Sequence, residues 1–364
     1  MKNAAIARLT AGAAAATLLL SACGNGNGDE ADANGNGDNG DNGEAVESYS
    51  IGVAQLVSHP ALDASAAGFK EAFDEAGIDV EWDEQNAQGE QETASNIAGT
   101  FANAGLDLVH AIATPTAQAA AQQITEDPVV FSAVTDPEDA GLVDSWEEPG
   151  GNITGASDMN PVAEQLELLQ EIVPDLETVG VVYSSGEANS QVQVDLLNEA
   201  AEELGLEVEE ATISASAEVQ QGVESLSADA IYVPTDNAVV SALEAVIQYG
   251  QQNDVPILAA EADSVIRGAV ATYGIDYHEL GVQAGEMAIR ILQDGEDPAS
   301  MPVETLSELE LTVNPEAAEA MGIEIPEDVM DRADVVVGED VDAEDPAEAG
   351  EEEGDDDEGD DDEQ

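Results

Sequence analysis

From Tyr49 to about Val337 the chain alternates short apolar runs with longer stretches whose apolar residues recur at helical spacing. The runs are YSIGVAQLV, LDLVHAIATP, DPVVFSAVTDP, TVGVVYSS, DAIYVPTD and VPILAAE. Between them lie segments such as PALDASAAGFKEAFDEAG and ANSQVQVDLLNEAAEELG, each ending in the glycine that commonly stops a helix. A strand apolar along its whole length, rather than at every second residue, has both faces covered. Alternation with helices supplies that cover and makes the strands parallel. GGNITGASDMN breaks the rhythm near residue 156, with one set of elements on either side. The expected fold class is therefore α/β, as two doubly wound parallel-sheet lobes.

Polar side chains collect where the apolar runs stop. AQLVSHP, IATPTAQ and SAVTDP end strands in the first half; VYSSGEANS, YVPTDN and AAEADS do so in the second. Ser, Thr, Asp and Asn at such places cap the following helix, which explains each one taken singly. The carboxyl ends of strands in open α/β sheets also border the ligand crevice. Two lobes with matching polar rims point to a cleft that closes on something small.

Charge and cysteine narrow the partners. Six Lys and Arg face 81 Asp and Glu, a formal charge of −75, which repels nucleic acid and anionic lipid. Aromatics at 3% leave few rings for stacking on a sugar. The only cysteine is Cys23, so no disulfide forms within the chain, and the scattered His59, His110 and His278 make no metal cluster; no cofactor is expected. MKNAAIAR, a short apolar core and LSAC read as a signal ending at Cys23. Residues 23–47, all but free of apolar side chains, read as a flexible acidic tether, and 338–364 as a self-repelling acidic tail.

The stretches GVAQLVSHPALD, AIATPTAQAA, VVFSAVTDPEDAGLV, NITGASD, VGVVYSSGEANSQ, YVPTDNAVVSALEAV and ATYGIDYHELGVQAGEMAIRIL carry a resemblance. The chain resembles the solute-binding proteins of ABC transporters with the type I periplasmic-binding fold, and among them the subgroup linked to tryptophan or other aromatic amino acids, or left without a ligand. LSAC resembles a lipobox, which implies residues 1–22 as a lipoprotein signal and an acylated Cys23 anchoring the protein to the outer face of a cell membrane. The resemblance implies a first lobe of 48–156 and 277–299, a second of 157–276 and 300–337, and three crossings: Gly155 to Met159, Tyr273 to Asp276, and Asp297 to Val303. It implies a monomer that captures a solute and hands it to an ABC permease and its ATPase, without chemistry. Its motifs place Gln55, His59, Pro60, Thr114, Thr116, Ser132 and Thr135 on the first rim. On the second they place Ser184, Ser185, Asn189, Ser190, Thr235, Asp236, Asn237 and Glu261. Leu56, Tyr183 and Tyr273 are candidates for contact with an apolar ligand side chain, with core packing as the alternative for each.

No Arg or Lys stands at any strand end, so a ligand with several negative charges is disfavoured. Helix N-termini and hydroxyls at Thr114 to Thr116 or Ser184 to Asn189 suit one carboxylate, and Asp236 or Glu261 suits an ammonium. A zwitterionic amino acid meets both conditions; a small sugar, or the same ligand read by a sensor instead of an importer, remains the alternative. His59 is a candidate donor to a carboxylate, and His110 a packed core residue. A hydrolase lacks its motif here, and a DNA-binding regulator lacks its headpiece. Carboxylates this dense stay soluble where salt screens their repulsion, as outside a halophilic cell. The melting temperature of the purified protein is expected to rise as salt is added; a flat or falling response removes the halophilic reading.

Overall fold

The computed structural model describes residues 48–307 and 309–338. The signal, the tether and nearly all of the acidic tail lie outside the described residues, as does Cys23.

The first set of elements runs β1 (Tyr49–Gln55), α1 (Pro60–Glu75), β2 (Val80–Asn86), α2 (Gln91–Phe101), β3 (Leu108–Ile112), α3 (Thr114–Gln123), β4 (Val129–Ser132) and β5 (Ile153–Ser157). The second runs α4 (Val162–Ile172), β6 (Thr178–Ser184), α5 (Ala188–Leu204), β7 (Glu207–Ile213), α6 (Val219–Glu224), β8 (Ala230–Val233), α7 (Asn237–Val240), α8 (Leu243–Asn253), β9 (Ile257–Ala259), α9 (Ala262–Ile266) and β10 (Ala271–Gly274). α10 (Tyr277–Ile289) and β11 (Glu304–Thr305) then return to the first set. β12 (Glu310–Val313), α11 (Pro315–Ala320), α12 (Glu327–Met330) and β13 (Val335–Val336) complete the second.

The first sheet has the order β11-β5-β4-β3-β1-β2 and every pairing in it is parallel. The second has the order β13-β12-β10-β9-β8-β6-β7, parallel except where β12 runs against β10. β3 and β4 are buried at every residue, as are β8 and β9, which is why their sequences are continuous apolar runs rather than alternating ones.

Two segments depart from the sequence expectation. The Gly- and Asn-rich NITGAS is not a break but the buried strand β5. Gly155 is required there: a Cβ would stand 2.1 Å from the Phe131 carbonyl oxygen of the neighbouring strand. The third crossing also falls later than Asp297 to Val303. Met301 and Val303 are buried in the first core, and β11 pairs with β5, so residues 300–305 belong to the first lobe and the chain leaves it only before β12. Side-chain burial, which sequence spacing does not reveal, decides that boundary.

α10 follows the second crossing and lies against α1 so closely that glycines form the contact. A Cβ on Gly281 would stand 2.2 Å from the Ser65 carbonyl oxygen, and one on Gly68 2.1 Å from that of His278. Gly281→Ala is therefore expected to lower stability by about 1–3 kcal/mol through overpacking, measured by chemical denaturation. Gly99→Ala on α2, where a Cβ meets nothing within 4 Å, is the control and should be neutral or slightly stabilising.

Candidate ligand-binding cleft

In each sheet the strand order reverses beside the first strand of the lobe. β1 lies between β2 and β3, and β6 between β7 and β8, so consecutive connections leave on opposite sides and open a crevice at the strand ends. His59 follows β1 and caps α1 without a side-chain hydrogen bond, and Pro60 fills the first helical position. Ala113, between β3 and α3, has φ 79° and ψ 150°, a conformation ordinarily left to glycine; its N–H donates to the Ser132 carbonyl at 3.0 Å. Ala133, after β4, also has positive φ, at 55°. Gln88 and Asp254 also have positive φ, but the two strained alanines share the strand ends of one crevice, a pattern common at functional sites.

Asp236 does more than cap. Its carboxylate accepts from Val239 N at 2.9 Å as the N-cap of α7, and also from Ser184 N at 2.5 Å and Ser190 Oγ at 2.7 Å. It thereby joins the ends of β8 and β6 across the crevice. Glu261 caps α9 through Ser264 N at 2.9 Å and accepts the Ser264 hydroxyl.

A cavity of about 290 Å³, counted with its mouth, lies between the lobes. His59, Ala61, Leu62 and Ala133 line it from the first lobe, and Thr235, Asp236, Asn237, Val240 and Glu261 from the second. Asp158, within the first crossing, and Tyr277, just past the second, complete the lining. The Tyr277 hydroxyl donates to Asp158 Oδ2 at 2.6 Å and the Thr135 hydroxyl to Oδ1 at 2.9 Å. Across the cavity His59 Nε2 meets Asn237 Oδ1 at 3.5 Å, and at the rim Gln91 Nε2 donates to the Gly186 carbonyl at 2.9 Å.

Residues 50–337 match the family described as ABC transporter substrate binding protein. The chain belongs to that family. It is 41% identical over 287 residues to a tyrosine-binding protein of Clostridioides difficile, covering 77% of this chain and 83% of that one. The crystal structure of an ABC domain in complex with L-Trp from Streptococcus pneumoniae matches with a TM-score of 0.77 at 37% identity, covering 80% of this chain and all of that one. A ligand-free, open substrate binding protein from Clostridium difficile is 42% identical, covering 79% of this chain and 99% of the other, yet its TM-score is 0.62.

This substrate-binding protein, which has the type I periplasmic-binding fold, brings together only part of the expected rim. His59, Thr235, Asp236, Asn237 and Glu261 line the cavity. Ser184, Asn189 and Ser190 stand behind them, Asn189 Nδ2 donating to the Thr235 carbonyl at 3.0 Å. Thr135 holds Asp158. Thr114 and Thr116 are buried at the start of α3 with hydroxyl oxygens that have no partner, and the side-chain oxygen of Asn189 has none either. Gln55 is turned away to the Val57 carbonyl and Asp63, and Ser185 is exposed. Ser132 lies beneath the surface, bonded to Ser65 and His110, whose ring stacks on Phe69 at 3.7 Å.

Tyr273 takes the core-packing alternative. It packs half-buried against the second core, while Tyr277, four residues on, takes the place beside the cavity. Strand β10 ends between the two, and the crossing turns only the later one inward. Asp158 and Glu187 were also missed. The signals were there: Asp158 ends NITGASD at the crossing, and Glu187 lies within SSGEANS just before α5.

The cleft is rich in carboxyl groups and burial acts on each of them. Burial raises the pKa of Asp158, Asp236 and Glu261, and it raises Glu187 to about 7, helped by the nearby Asp236 charge. Burial and the Glu261 charge bring Asp263 to about 7 as well. Burial lowers His59 to about 4, so its ring is neutral at neutral pH. No cation offsets these groups from within the lining. Each Lys and Arg among the described residues is paired elsewhere: Lys70 with Glu84, Arg267 with Glu244, Arg290 with Glu304 and Glu296, Arg332 with Glu171. No group of side chains among the described residues is arranged to hold a metal ion.

A carboxyl with a raised pKa holds its proton more tightly folded than unfolded. The contribution of Glu187 to stability is thus complete below its ordinary 4.5 and is lost as pH rises through about 7. At constant high salt, the melting temperature of the ligand-free protein should fall over that window, and Glu187→Gln should flatten the fall. Superimposable pH profiles for the two proteins would assign the effect to other groups.

Proposed function

We propose that this protein captures a zwitterionic amino acid with an aromatic side chain and delivers it to an ABC permease and its ATPase. The observation that carries the reading is a cavity lined by three carboxylates, Asp158, Asp236 and Glu261, and by no cation. Such a lining matches one ammonium and rejects anions. Asp236 and Glu261 spend their oxygens on donors of their own lobe, whereas each Asp158 oxygen accepts a single side-chain hydroxyl. A carboxylate has about four acceptor positions, so Asp158 is the best-placed counter-ion for the ammonium.

For the ligand carboxylate, the unpartnered hydroxyls of Thr114 and Thr116 stand at the N-terminus of α3, where N–H groups and the helix dipole favour an anion. Ala61, Leu62, Val240 and the Tyr277 ring supply the apolar contact for a side chain. The tyrosine-binding relative and the tryptophan complex support the aromatic choice. Tether and anchor follow from the sequence: cleavage before an acylated Cys23 holds a monomer on the outer face of the membrane, in the salt that its acidity suits.

Calorimetry in high salt tests this. L-Tyr and L-Trp should bind and N-acetyl-tyrosine should not, because acetylation removes the charge that Asp158 meets. Asp158→Asn should weaken L-Tyr by about 2–5 kcal/mol if the pair is desolvated. Binding of a sugar alone, or of N-acetyl-tyrosine as tightly as L-Tyr, would overturn the reading.

A further inference from the structure

His59 was expected to donate to a ligand carboxylate, and the arrangement around it argues the reverse. Glu187 Oε2 accepts the Asn237 side-chain amide at 2.6 Å and the Asn237 backbone N–H at 3.3 Å. Oε2 also accepts from Asn189 Nδ2 at 3.3 Å, so any proton on this carboxyl sits on the other oxygen. Oε2 accepts, and the contact makes nitrogen the end of the Asn237 amide that meets it and leaves Oδ1, an acceptor, facing His59 Nε2 at 3.5 Å. A neutral imidazole carries one proton, and only Nε2–H satisfies that oxygen. His59 Nδ1 is then a bare acceptor, buried and without a partner in a side chain 8% exposed that lines the cavity. The low pKa of the ring agrees with a histidine that stays neutral.

We infer that His59 Nδ1 is a specificity-determining acceptor for a hydrogen-bond donor on the aromatic side chain of the ligand, the phenol O–H of tyrosine or the indole N–H of tryptophan. Its surroundings suit a side chain rather than the charged end of the ligand. Ala61 and Leu62 follow it along α1, and Val240 lies one turn beyond Asn237 on α7. The ammonium has carboxylates to meet, so this neutral acceptor is left for a neutral donor. A ligand of the same shape without the donor, such as phenylalanine, leaves Nδ1 buried and unpaired, which carries a desolvation cost.

The inference rests on the proposed amino-acid ligand, and the experiment separates the two. Affinities of the purified protein for L-Tyr, L-Phe, L-Trp and benzothienylalanine, in which sulfur replaces the indole N–H, are measured by calorimetry in high salt. The wild type should prefer each donor-bearing ligand over its partner by about tenfold or more. His59→Gln, whose amide reaches the Nε2 position and keeps the Asn237 contact, should bring both ratios to within about twofold. His59→Asn, whose amide falls near Nδ1, should preserve the preference. Equal wild-type affinity within the pairs overturns the inference even if a variant fails to fold, and leaves the amino-acid reading standing. A His59→Gln protein with the full preference also overturns it. Failure of all four compounds to bind sinks both.

Discussion

Asp158 holds two hydroxyls, one on each carboxylate oxygen: Tyr277 from the start of α10 and Thr135 from beyond β4. Those contacts tie the first crossing of the chain to the second and to the first lobe, in a place fully shut from solvent. A buried carboxylate left with so little compensation is costly when charged, and its raised pKa expresses that cost. A ligand ammonium would relieve it. On the proposed reading the same group sits where the lobes turn and where the ligand ammonium falls, so binding and closure would draw on one interaction. Ligand charge and lobe setting are then linked by position, with no separate relay between them.

The second lobe is built on the same economy. Asp236 gathers Ser184, Ser190 and Val239, and Glu187 gathers Asn189 and Asn237, so strand ends and helix starts are fixed to one another by carboxyl groups, with the amides of Gln193 and Asn189 beside them. Of the cations, Lys70, Arg290 and Arg332 pair with carboxylates away from the cavity, while Arg267 lies just behind the lining, pairing with Glu244 and donating to the Val240 carbonyl. Arg332 pairs with Glu171 and half of its side chain or less meets solvent. A chain with so strong an excess of acid has excluded positive charge from its cleft and kept its donors there neutral: hydroxyls, amides and one histidine. That composition is in keeping with the proposed amino-acid ligand and disfavours an anionic one.

Helix α10 shows how the two lobes share one chain. It follows the second crossing but lies on α1, and the glycines at 68, 281 and 285 remove the side chains that would hold the helices apart. The close approach fixes Tyr277, the first residue of α10, relative to the first lobe. Tyr277 in turn reaches Asp158. Packing far from the cavity therefore sets the geometry of its hinge-side wall.

The sequence by itself determined the α/β alternation, the polar strand ends and the carboxyl-rich character of the cleft, because these are properties of local runs and of composition. Apolar strands announce burial on both faces, and the TDN that follows β8 announces a cap whatever else it does. What only the tertiary structure decided was which polar ends point inward. Tyr273 and Tyr277 flank one crossing in the sequence, and only the turn of the backbone between them sends the second to the cavity. NITGAS has strand character only because Phe131 lies against a glycine, and residues 300–305 belong to the first lobe only because β5 is there to pair with. The proton on His59 is likewise unreadable from its neighbours along the chain. It is set by an amide and a carboxylate 178 and 128 residues away, brought beside it when two distant strand ends meet.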